Sequence, residues 1–517
     1  MHTIVNAREA VSHIRSGSTV AVGGAGAGHA VPDKVLEALG SHFAETGKPR
    51  DLFVIHPCGI GDNDRRGMNH LAHEGLIRTC VGGFWGNAPQ MVNLAREKKL
   101  TGYNLPQGVL SQLMRATAAG MPGLITHVGL HTFVDPRLEG GKINEITREE
   151  IVEVMPLNGK EYLFYRTRPI DVGIIRGTTM DPEGNITMEE EVGSFAMLSI
   201  AQAAKTKGGI VIAQVKRLTE HHHQPGQVKV PGVLIDFAVL DPGQEMTFLS
   251  PYEPALVKRD VPYTSDTLSL DGIKNLVSRR AAMELRRGAF VNLGYGMSDG
   301  VPIVAQQEGI TDQIVFMIEQ GATAGIPTTG LNFGAMFNPS SIIDDAYQFD
   351  FFQGGGLDLA FLGFAQVDRE GNINSSRFGD VITGCGGSID ISQNARKVVY
   401  CGTFAVKSET EISEDGIRVL NPGTFRKFVQ RVQQVSFSGN YAMARGQQVV
   451  YVTERAVFEL TPDGLLLKEI APGIDLQKDI LNMMEFRPLI AEDLKTIDPV
   501  VYQTKKIGLK NLFDASR

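Results

Sequence analysis

Two blocks of sequence occur twice in this 517-residue chain, and the duplication limits the possible folds more than any other feature. The first block, SGSTVAVGGAGAGHAVP starting at Ser16, is similar to RGAFVNLGYGMSDGVP starting at Arg287. The second block, DVGIIRGTTMDPEGNIT starting at Asp171, is similar to DLAFLGFAQVDREGNIN starting at Asp358. Internal similarity of this kind predicts two related structural units in one chain.

The two blocks lie closer together in the second half of the chain than in the first. The first block recurs 271 residues later, as from Gly23 to Gly294, and the second recurs 187 residues later, as from Asp181 to Asp368. The first half therefore carries the difference, about 84 residues, between its two blocks. We expect this insertion to cover much of residues 58–165.

The pattern of apolar runs predicts the fold class. Short runs such as DLFVIH, QIVFMIE and KVVYCGTF are separated by helical or glycine-rich segments, which is typical of open, largely parallel α/β sheets. We predict two tandem duplicated α/β domains, residues 1–245 and 265–517, joined by a Pro- and Asp-rich linker from about Asp241 to Asp266. Ligands bind beyond the carboxyl ends of such strands, so we expect the active site in the cleft between the domains.

Charge and composition exclude several classes of partner. With 50 Lys and Arg against 58 Asp and Glu, the net charge is −8, which does not favour nucleic acid or anionic lipid as a partner. No run approaches the roughly 18 apolar residues that span a bilayer, and the first residues lack a signal-peptide core. The four cysteines form no CxxC pair and are expected to be reduced. We therefore expect a cytoplasmic protein without nucleic-acid or membrane partners.

Glu319 is the sharpest candidate for a catalytic residue. It directly follows the apolar run IVFMI and directly precedes the small-residue loop QGATAG, which places a carboxylate at a strand end beside a glycine turn. The alternative is a glutamate that caps a following helix. Alignment of the repeats places His56 opposite Glu319, so the halves differ where asymmetric chemistry would require it.

Two glycine-rich loops are further candidates. Gly384–Asp390, GCGGSID, can point successive backbone N–H groups at one oxygen, as an oxyanion hole requires, although an ordinary turn fits as well. Gly23–Gly28 follows a predicted strand but lacks a complete dinucleotide-binding or P-loop pattern. We interpret this second loop as a tight turn from strand to helix.

Metal and nucleophile motifs are incomplete. The pairs His70 with His73 and His127 with His131, and the run HHH from His221, have no nearby set of three or four ligands, so no metal site is predicted. There is no Gly-x-Ser-x-Gly motif, and Cys58 has no evident activating base.

The ordered set of motifs resembles the class I CoA-transferases over nearly the whole chain. The matching segments are VFMIEQGATAGIP around Glu319, the GCGGSID loop, GFAQVDREGNIN, PQG at Pro106 and EIAPGID near the end. The sequence is most similar to the single-chain acetate or propionate CoA-transferase type. This resemblance implies CoA transfer from a short-chain acyl-CoA to a free carboxylic acid, no permanently bound cofactor, and a homo-oligomer, specifically a tetramer.

The resemblance also implies roles for individual residues. Glu319 matches the nucleophile that becomes a glutamyl-CoA thioester, and Gln107 matches a glutamine that faces the reacting carboxyl group. The predicted oxyanion-binding residues are Gly386, Gly387 and Ser388, and the predicted CoA-binding residues are Gly294, Gly296, Gly321 and Gly384.

The sequence departs from the family pattern at two points. Ala324 stands where related sequences often have glycine, which suggests a different pocket floor, and the turn His56-Pro57-Cys58 replaces an Asn-containing turn of 3-oxoacid enzymes. The second difference favours a small acyl group without a 3-oxo function. The sequence also allows an acyl-CoA hydrolase on the same scaffold, a non-catalytic sensor of acyl-CoA or a phosphosugar, and a dinucleotide oxidoreductase that uses Gly23–Gly28.

Overall fold

The computed structural model describes residues 2–263 and 270–515. The predicted domain start at residue 265 and the linker end at Asp266 lie outside the described residues. The α-helices are Ala7–Ser12, Asp33–Thr46, Pro89–Arg96, Gln107–Ala118, Met197–Lys205, Gly272–Ala282, Val301–Glu308, Asp345–Gln353, Ser388–Ser392, Gly439–Ala444 and Leu509–Ala515. Among the described residues, no helix combines the length and the apolar character needed to cross a membrane.

The first half forms a sheet of eight parallel strands. In spatial order they are Thr3–Val5, Phe237–Leu240, Ile210–Leu218, Val172–Met180, Thr19–Val22, Leu52–His56, Ile77–Gly82 and Thr101–Asn104. The short strand Ile186–Thr187 pairs antiparallel with Val172–Met180. An apolar core lies on each face of this sheet. In the strand Thr19–Val22, Val20 and Val22 belong to one core and Ala21 to the other, which is why every residue after Thr19 is apolar.

The second half forms a mixed eight-stranded sheet. Its strands in spatial order are Val315–Phe316, Phe290–Leu293, Leu359–Gly363, Lys397–Cys401, Gln448–Val452, Ala456–Thr461, Gly464–Ile470 and Leu489–Thr496. The first five are parallel. Ala456–Thr461 runs antiparallel to them, and the hairpin at Pro462-Asp463-Gly464 then leads into the antiparallel neighbour Gly464–Ile470. The predicted α/β class with mostly parallel sheets is confirmed.

Shorter strands complete the architecture. Gly123–Thr126, Lys160–Arg166 and Val152–Leu157 form an antiparallel sheet, and Ile373–Asn374, Gln366–Asp368 and Phe428–Val429 form a second small sheet. Two-stranded pairs are Ala322–Thr323 with Ser341–Ile342, Ile326–Pro327 with Met336–Phe337, Arg377–Phe378 with Val381–Ile382, Ala405–Val406 with Phe425–Arg426, and Glu409–Ser413 with Gly416–Asn421.

The strand register confirms the duplication. Val20 pairs with Val172 in the first half, and Val291 pairs with Leu359 in the second, which reproduces both sequence offsets. An aspartate before the second strand of each pair bonds to the first residue of the other strand. Asp171 accepts a 2.7 Å hydrogen bond from the Thr19 N–H, and its counterpart Asp358 accepts one of 2.9 Å from the Phe290 N–H.

The insertion extends the first sheet at one edge. The strands Ile77–Gly82 and Thr101–Asn104 and the helix Gln107–Ala118 follow the strand Leu52–His56, whereas within the described residues the second sheet ends at the equivalent strand, Val315–Phe316. The insertion therefore supplies additional strand ends on the side of the sheet where ligands bind.

The second repeated block forms the same aspartate-centred turn in both halves. Asp181 accepts hydrogen bonds from the backbone and the side chain of Asn185, and Asp368 accepts the same bonds from Asn372. The Asp368 side chain is buried and also accepts from the Val432 N–H at 3.3 Å. The Gly-Asn pair recurs because the Asn side chain bonds to the aspartate and the glycine adopts a positive φ, +85° at Gly184 and +75° at Gly371.

Removal of the Asp368 carboxylate should destabilise the second half. We expect Asp368→Ala to lower the free energy of unfolding by about 2–3 kcal/mol, because buried N–H groups lose their acceptor. Urea unfolding followed by circular dichroism measures this change. The control Asp463→Ala, at an exposed hairpin turn, should stay within about 0.5 kcal/mol of the wild type. Equal losses in the two variants would contradict the assigned role of Asp368.

Candidate active site

A cavity of about 510 Å³ lies between the two halves. Its lining from the first half includes Gly26, Cys58, Phe84 and Gln107, and its lining from the second half includes Asn292, Gly294, Glu319, Gln320, Gly384, Gly386, Gly387 and Ser388. Strand ends and glycine loops of both halves thus meet at one space, as expected for sheets of this class.

Glu319 lies just beyond the carboxyl end of the strand Val315–Phe316, and its side chain is 7% exposed. The Asn292 amide donates to the Met317 carbonyl at 3.0 Å and lies 3.4 Å from a carboxylate oxygen of Glu319. Burial raises the pKa of Glu319, while hydrogen bonds from its own backbone and from Asn292 and Gln320 oppose this rise. Glu319 is therefore a poorly hydrated carboxylate held at the cavity wall.

The GCGGS loop contacts Glu319 through Gly387. A Cβ atom on Gly387 would lie 3.4 Å from Cγ of Glu319, so the glycine allows the loop and the carboxylate to approach closely. The Gly386 N–H donates to the Gly83 carbonyl at 2.8 Å, and the Ser388 N–H donates to the Cys385 carbonyl at 3.0 Å. Of the three predicted oxyanion donors, Gly387 alone keeps an N–H with no hydrogen-bond partner among the described residues.

Gln107 faces the same space from the other half. Its N–H donates to the Gly386 carbonyl at 2.9 Å, and the next residue, Gly108, donates to Asp390 at 3.2 Å. The Gln107 side-chain amide nitrogen is buried and has no hydrogen-bond partner in the described structure. Because an unpaired buried donor is costly, this amide is suited to bind a ligand oxygen.

The predicted CoA-binding glycines fall into two groups. Gly294 and Gly384 line the cavity, whereas Gly296 and Gly321 are not among its lining residues. Gly321 has φ +108°, and a Cβ there would lie 2.0 Å from the Ile343 carbonyl oxygen, so its role is to form the turn. Ala324 is exposed, has φ +53° and does not line the cavity, which corrects the suggestion that it alters the pocket floor.

Sequence reasoning missed Asn292 and Phe84. Asn292 stands in the repeat where the first half has Ala21, so a polar residue inside an otherwise apolar strand was the available signal. Phe84 follows Gly82 and Gly83 at the end of the strand Ile77–Gly82. It resembled an ordinary core aromatic residue.

A buried carboxyl group lies beneath the cavity. Asp345 accepts a 2.6 Å hydrogen bond from the Ser111 hydroxyl and lies 3.9 Å from the Cys58 sulfur. Burial, and then the neighbouring Asp344 charge, raises the pKa of Asp345. Burial, followed by the Asp345 and Glu319 charges, raises the pKa of the Cys58 thiol, which makes Cys58 a poor nucleophile at neutral pH.

One cluster among the described residues has the geometry of a metal site. Ligand atoms of Asp181, Glu183 and His222 lie within 4.8 Å of one another. The Asp181 oxygens already accept the turn hydrogen bonds from residues 183 and 185, and the Glu183 and His222 side chains are exposed.

Comparison with known proteins decides the family. The profile described as Coenzyme A transferase matches residues 4–241. Acetate CoA-transferase YdiF of Escherichia coli O157:H7 is 42% identical over 509 residues, which cover 98% of this chain and 96% of that protein. The chain belongs to the coenzyme A transferase family. Its activity is CoA transfer.

Two further similarities support this assignment. Caffeate CoA-transferase of Acetobacterium woodii is 43% identical to this CoA-transferase over 99% of both chains. The crystal structure of the Escherichia coli O157:H7 YdiF thioester complex with CoA superimposes with a TM-score of 0.93 at 40% identity, covering 98% of this chain and 97% of that one. The resemblance inferred from the sequence motifs is confirmed over the whole chain.

The stability of this CoA-transferase should depend on pH through Asp345. Folded Asp345 keeps its proton above the pH at which the unfolded carboxyl group loses it, so stability is lost as the pH rises toward the raised pKa. We expect Asp345→Asn, which carries no titratable group, to melt at a higher temperature than the wild type at pH 8. The difference in melting temperature between Asp345→Asn and the wild type should decrease toward pH 4.

Melting curves at pH 4, 6 and 8 measure this effect. The control Asp312→Asn, at an exposed position, should follow the wild-type curve. A constant difference between Asp345→Asn and the wild type across this pH range would contradict the prediction.

Proposed function

We propose that this CoA-transferase moves CoA from a short-chain acyl-CoA to a free carboxylic acid, with Glu319 as the covalent nucleophile. The observation that carries the proposal is the buried Glu319 carboxylate at a strand end, close to Gly387, in a cavity shared by both halves. The similarity to an acetate CoA-transferase supports a short-chain acid as substrate, and the similarity to a caffeate CoA-transferase makes an aromatic acid the second candidate.

The reaction proceeds in two symmetric halves. Glu319 attacks the thioester carbonyl, and the carbon–sulfur bond breaks to give an acyl-glutamyl anhydride and CoA thiolate. The thiolate then attacks the glutamyl carbonyl and expels the first acid as a carboxylate, which leaves a glutamyl-CoA thioester. An incoming carboxylate reverses these steps and departs as the new acyl-CoA. This is ping-pong covalent catalysis, and it needs no external energy source because one thioester replaces another.

Backbone and side-chain amides stabilise the charge that develops. Each attack places negative charge on a carbonyl oxygen. Gly387, whose N–H has no partner among the described residues, lies close to the Glu319 side chain and is the proposed donor to this oxygen. One preorganised donor of this kind contributes about 3 kcal/mol to transition-state stabilisation. The unpaired Gln107 amide supplies a second donor from the opposite half.

Several broader predictions belong to the same proposal. A cytoplasmic location and a homo-oligomeric assembly, specifically a tetramer, follow from the resemblance to the family. The mechanism uses CoA as a substrate and requires no permanently bound cofactor or metal. The proposed covalent role of Glu319 favours a transferase over a non-catalytic sensor.

Trapping of the covalent intermediate tests Glu319. After incubation with acetyl-CoA, the peptide that contains Glu319 should gain the mass of CoA, or of a reduced residue after borohydride treatment. We expect Glu319→Gln to lower kcat by at least about 10⁴-fold, because the amide cannot form the thioester. The control Glu370→Gln, at an exposed turn, should retain activity.

Thiol release distinguishes transfer from hydrolysis. A transferase releases little net free thiol from acetyl-CoA, with or without added acetate, whereas a hydrolase releases thiol continuously. An unmodified Glu319 peptide together with full activity of Glu319→Gln would overturn the proposal.

The acid limb of the pH profile should respond to Asn292. Glu319 attacks as a carboxylate, so kcat/KM for acyl-CoA falls as the pH drops through its pKa. Because the Asn292 amide lowers the pKa of Glu319, Asn292→Ala should move this limb to higher pH. Steady-state kinetics between pH 4.5 and 8 measure the shift. Coincident acid limbs for Asn292→Ala and the wild type would show that Asn292 does not act on Glu319.

A further inference from the structure

We propose that the Phe84 ring is the wall that limits the size of the acyl group, so that Phe84 determines specificity for small unbranched acids over branched and aromatic ones. This inference rests on the proposed function of Glu319. It concerns an apolar residue to which no step of the mechanism assigns a task.

Three neighbouring strands bring the relevant residues together. Cys58, Phe84 and Gln107 lie two to three residues beyond the strands Leu52–His56, Ile77–Gly82 and Thr101–Asn104, respectively, and all three line the cavity. The last two strands belong to the insertion and extend the sheet at this edge. The insertion therefore builds this side of the cavity.

Two glycines confine the Phe84 side chain. A Cβ on Gly59 would lie 2.8 Å from Cδ1 of Phe84, and a Cβ on Gly86 would lie 2.8 Å from Cε1 of Phe84. Neither glycine has a positive φ, so the absence of a side chain serves the close approach of the ring rather than an unusual backbone conformation. The ring cannot move toward either glycine backbone without a clash.

The backbone next to Phe84 is tied to the loop that contacts the nucleophile. The N–H groups of Trp85 and Gly86 both donate to the Thr383 carbonyl, at 2.8 and 2.9 Å. A Cβ on Gly386 would lie 3.8 Å from Cδ2 of Phe84, and a Cβ on the adjacent Gly387 would lie 3.4 Å from Cγ of Glu319. The distance between the ring and the reacting carboxylate is therefore set by short backbone contacts.

The direction in which CoA leaves the cavity assigns the Phe84 side to the acyl group. Tyr295, Leu331 and Phe378 also line the cavity but are 62%, 41% and 40% exposed, so they mark its mouth. The long CoA arm must pass through this mouth. We place the acyl group on the other side of the thioester carbon, toward Phe84, which is half-buried and less exposed than the three mouth residues.

An apolar ring discriminates by volume. It offers no hydrogen bond to a substrate, and its confinement by two glycines prevents it from giving way to a larger group. A pocket of this kind typically separates acids that differ by one methylene by about 10-fold or more. The substrate class that fits is a straight-chain carboxylate of a few carbons.

Acceptor competition tests the wall directly. With propionyl-CoA as donor, kcat/KM is measured for acetate, butyrate, isobutyrate and benzoate. We expect Phe84→Ala to raise the isobutyrate-to-acetate and benzoate-to-acetate ratios by about 10-fold or more, with a smaller rise for Phe84→Leu. Gly86→Ala should push the ring into the cavity and lower the butyrate-to-acetate ratio.

Phe378→Ala is the matched control, because it removes a phenyl ring from the mouth of the same cavity. It should change KM for the acyl-CoA donor and leave the acid ratios as in the wild type. Unchanged ratios in both Phe84→Ala and Phe84→Leu, or equal changes in Phe378→Ala, would overturn the inference.

Mass measurement of the Glu319 peptide separates the two possible failures. If the wild type forms no CoA adduct on Glu319, the proposed function fails. If wild type and variants all form the adduct but the acid ratios do not move, the assignment of Phe84 fails and the proposed function stands.

Discussion

The active site depends on a set of hydrogen bonds that cross between the two halves at the GCGGS loop. Gly386 donates to the Gly83 carbonyl and accepts from the Gln107 N–H, while Cys385 donates to the Asn104 side chain. These contacts connect strand ends of the first sheet to a loop of the second. Together with the bonds from Ser111 to Asp345 and from Gly108 to Asp390, they fix the separation between Glu319 in one half and Gln107 in the other, and they hold Gly387 close to Glu319.

The duplicated fold supports asymmetric chemistry because its two copies share backbone register but differ in side chains. Thr19 pairs with Phe53, and its counterpart Phe290 pairs with Val315, so the register places Pro57 opposite Glu319. The sequence alignment placed His56 there and was wrong by one residue. With either alignment, only one of the two equivalent strand ends carries a carboxylate, so the two halves still differ chemically at this position.

Burial gives the carboxyl groups around the cavity different tasks. Glu319 contacts the cavity and receives only long or local hydrogen bonds, so its charge is weakly compensated and available for attack. Asp390 is fully buried, and burial raises its pKa to about 7, yet it accepts hydrogen bonds from Gly108 and Gln353 and so anchors the start of the helix that carries Gln107. Desolvation acts on both groups, and access to the cavity distinguishes Glu319, the proposed nucleophile, from Asp390, which anchors the helix.

The sequence by itself determined the duplication, the α/β class and the family, and it indicated Glu319 as the candidate nucleophile. Each depends on local patterns: apolar runs, a repeated aspartate turn, and a carboxylate between a strand and a glycine loop. It also identified the GCGGS loop and Gln107. The tertiary structure alone decided which N–H of that loop is unpaired, because this depends on Gly83, about 300 positions earlier in the chain. It likewise decided that Gly296 and Gly321 do not line the cavity, and that Asn292 and Phe84 do. Such assignments depend on contacts between distant segments, and local sequence patterns do not record them.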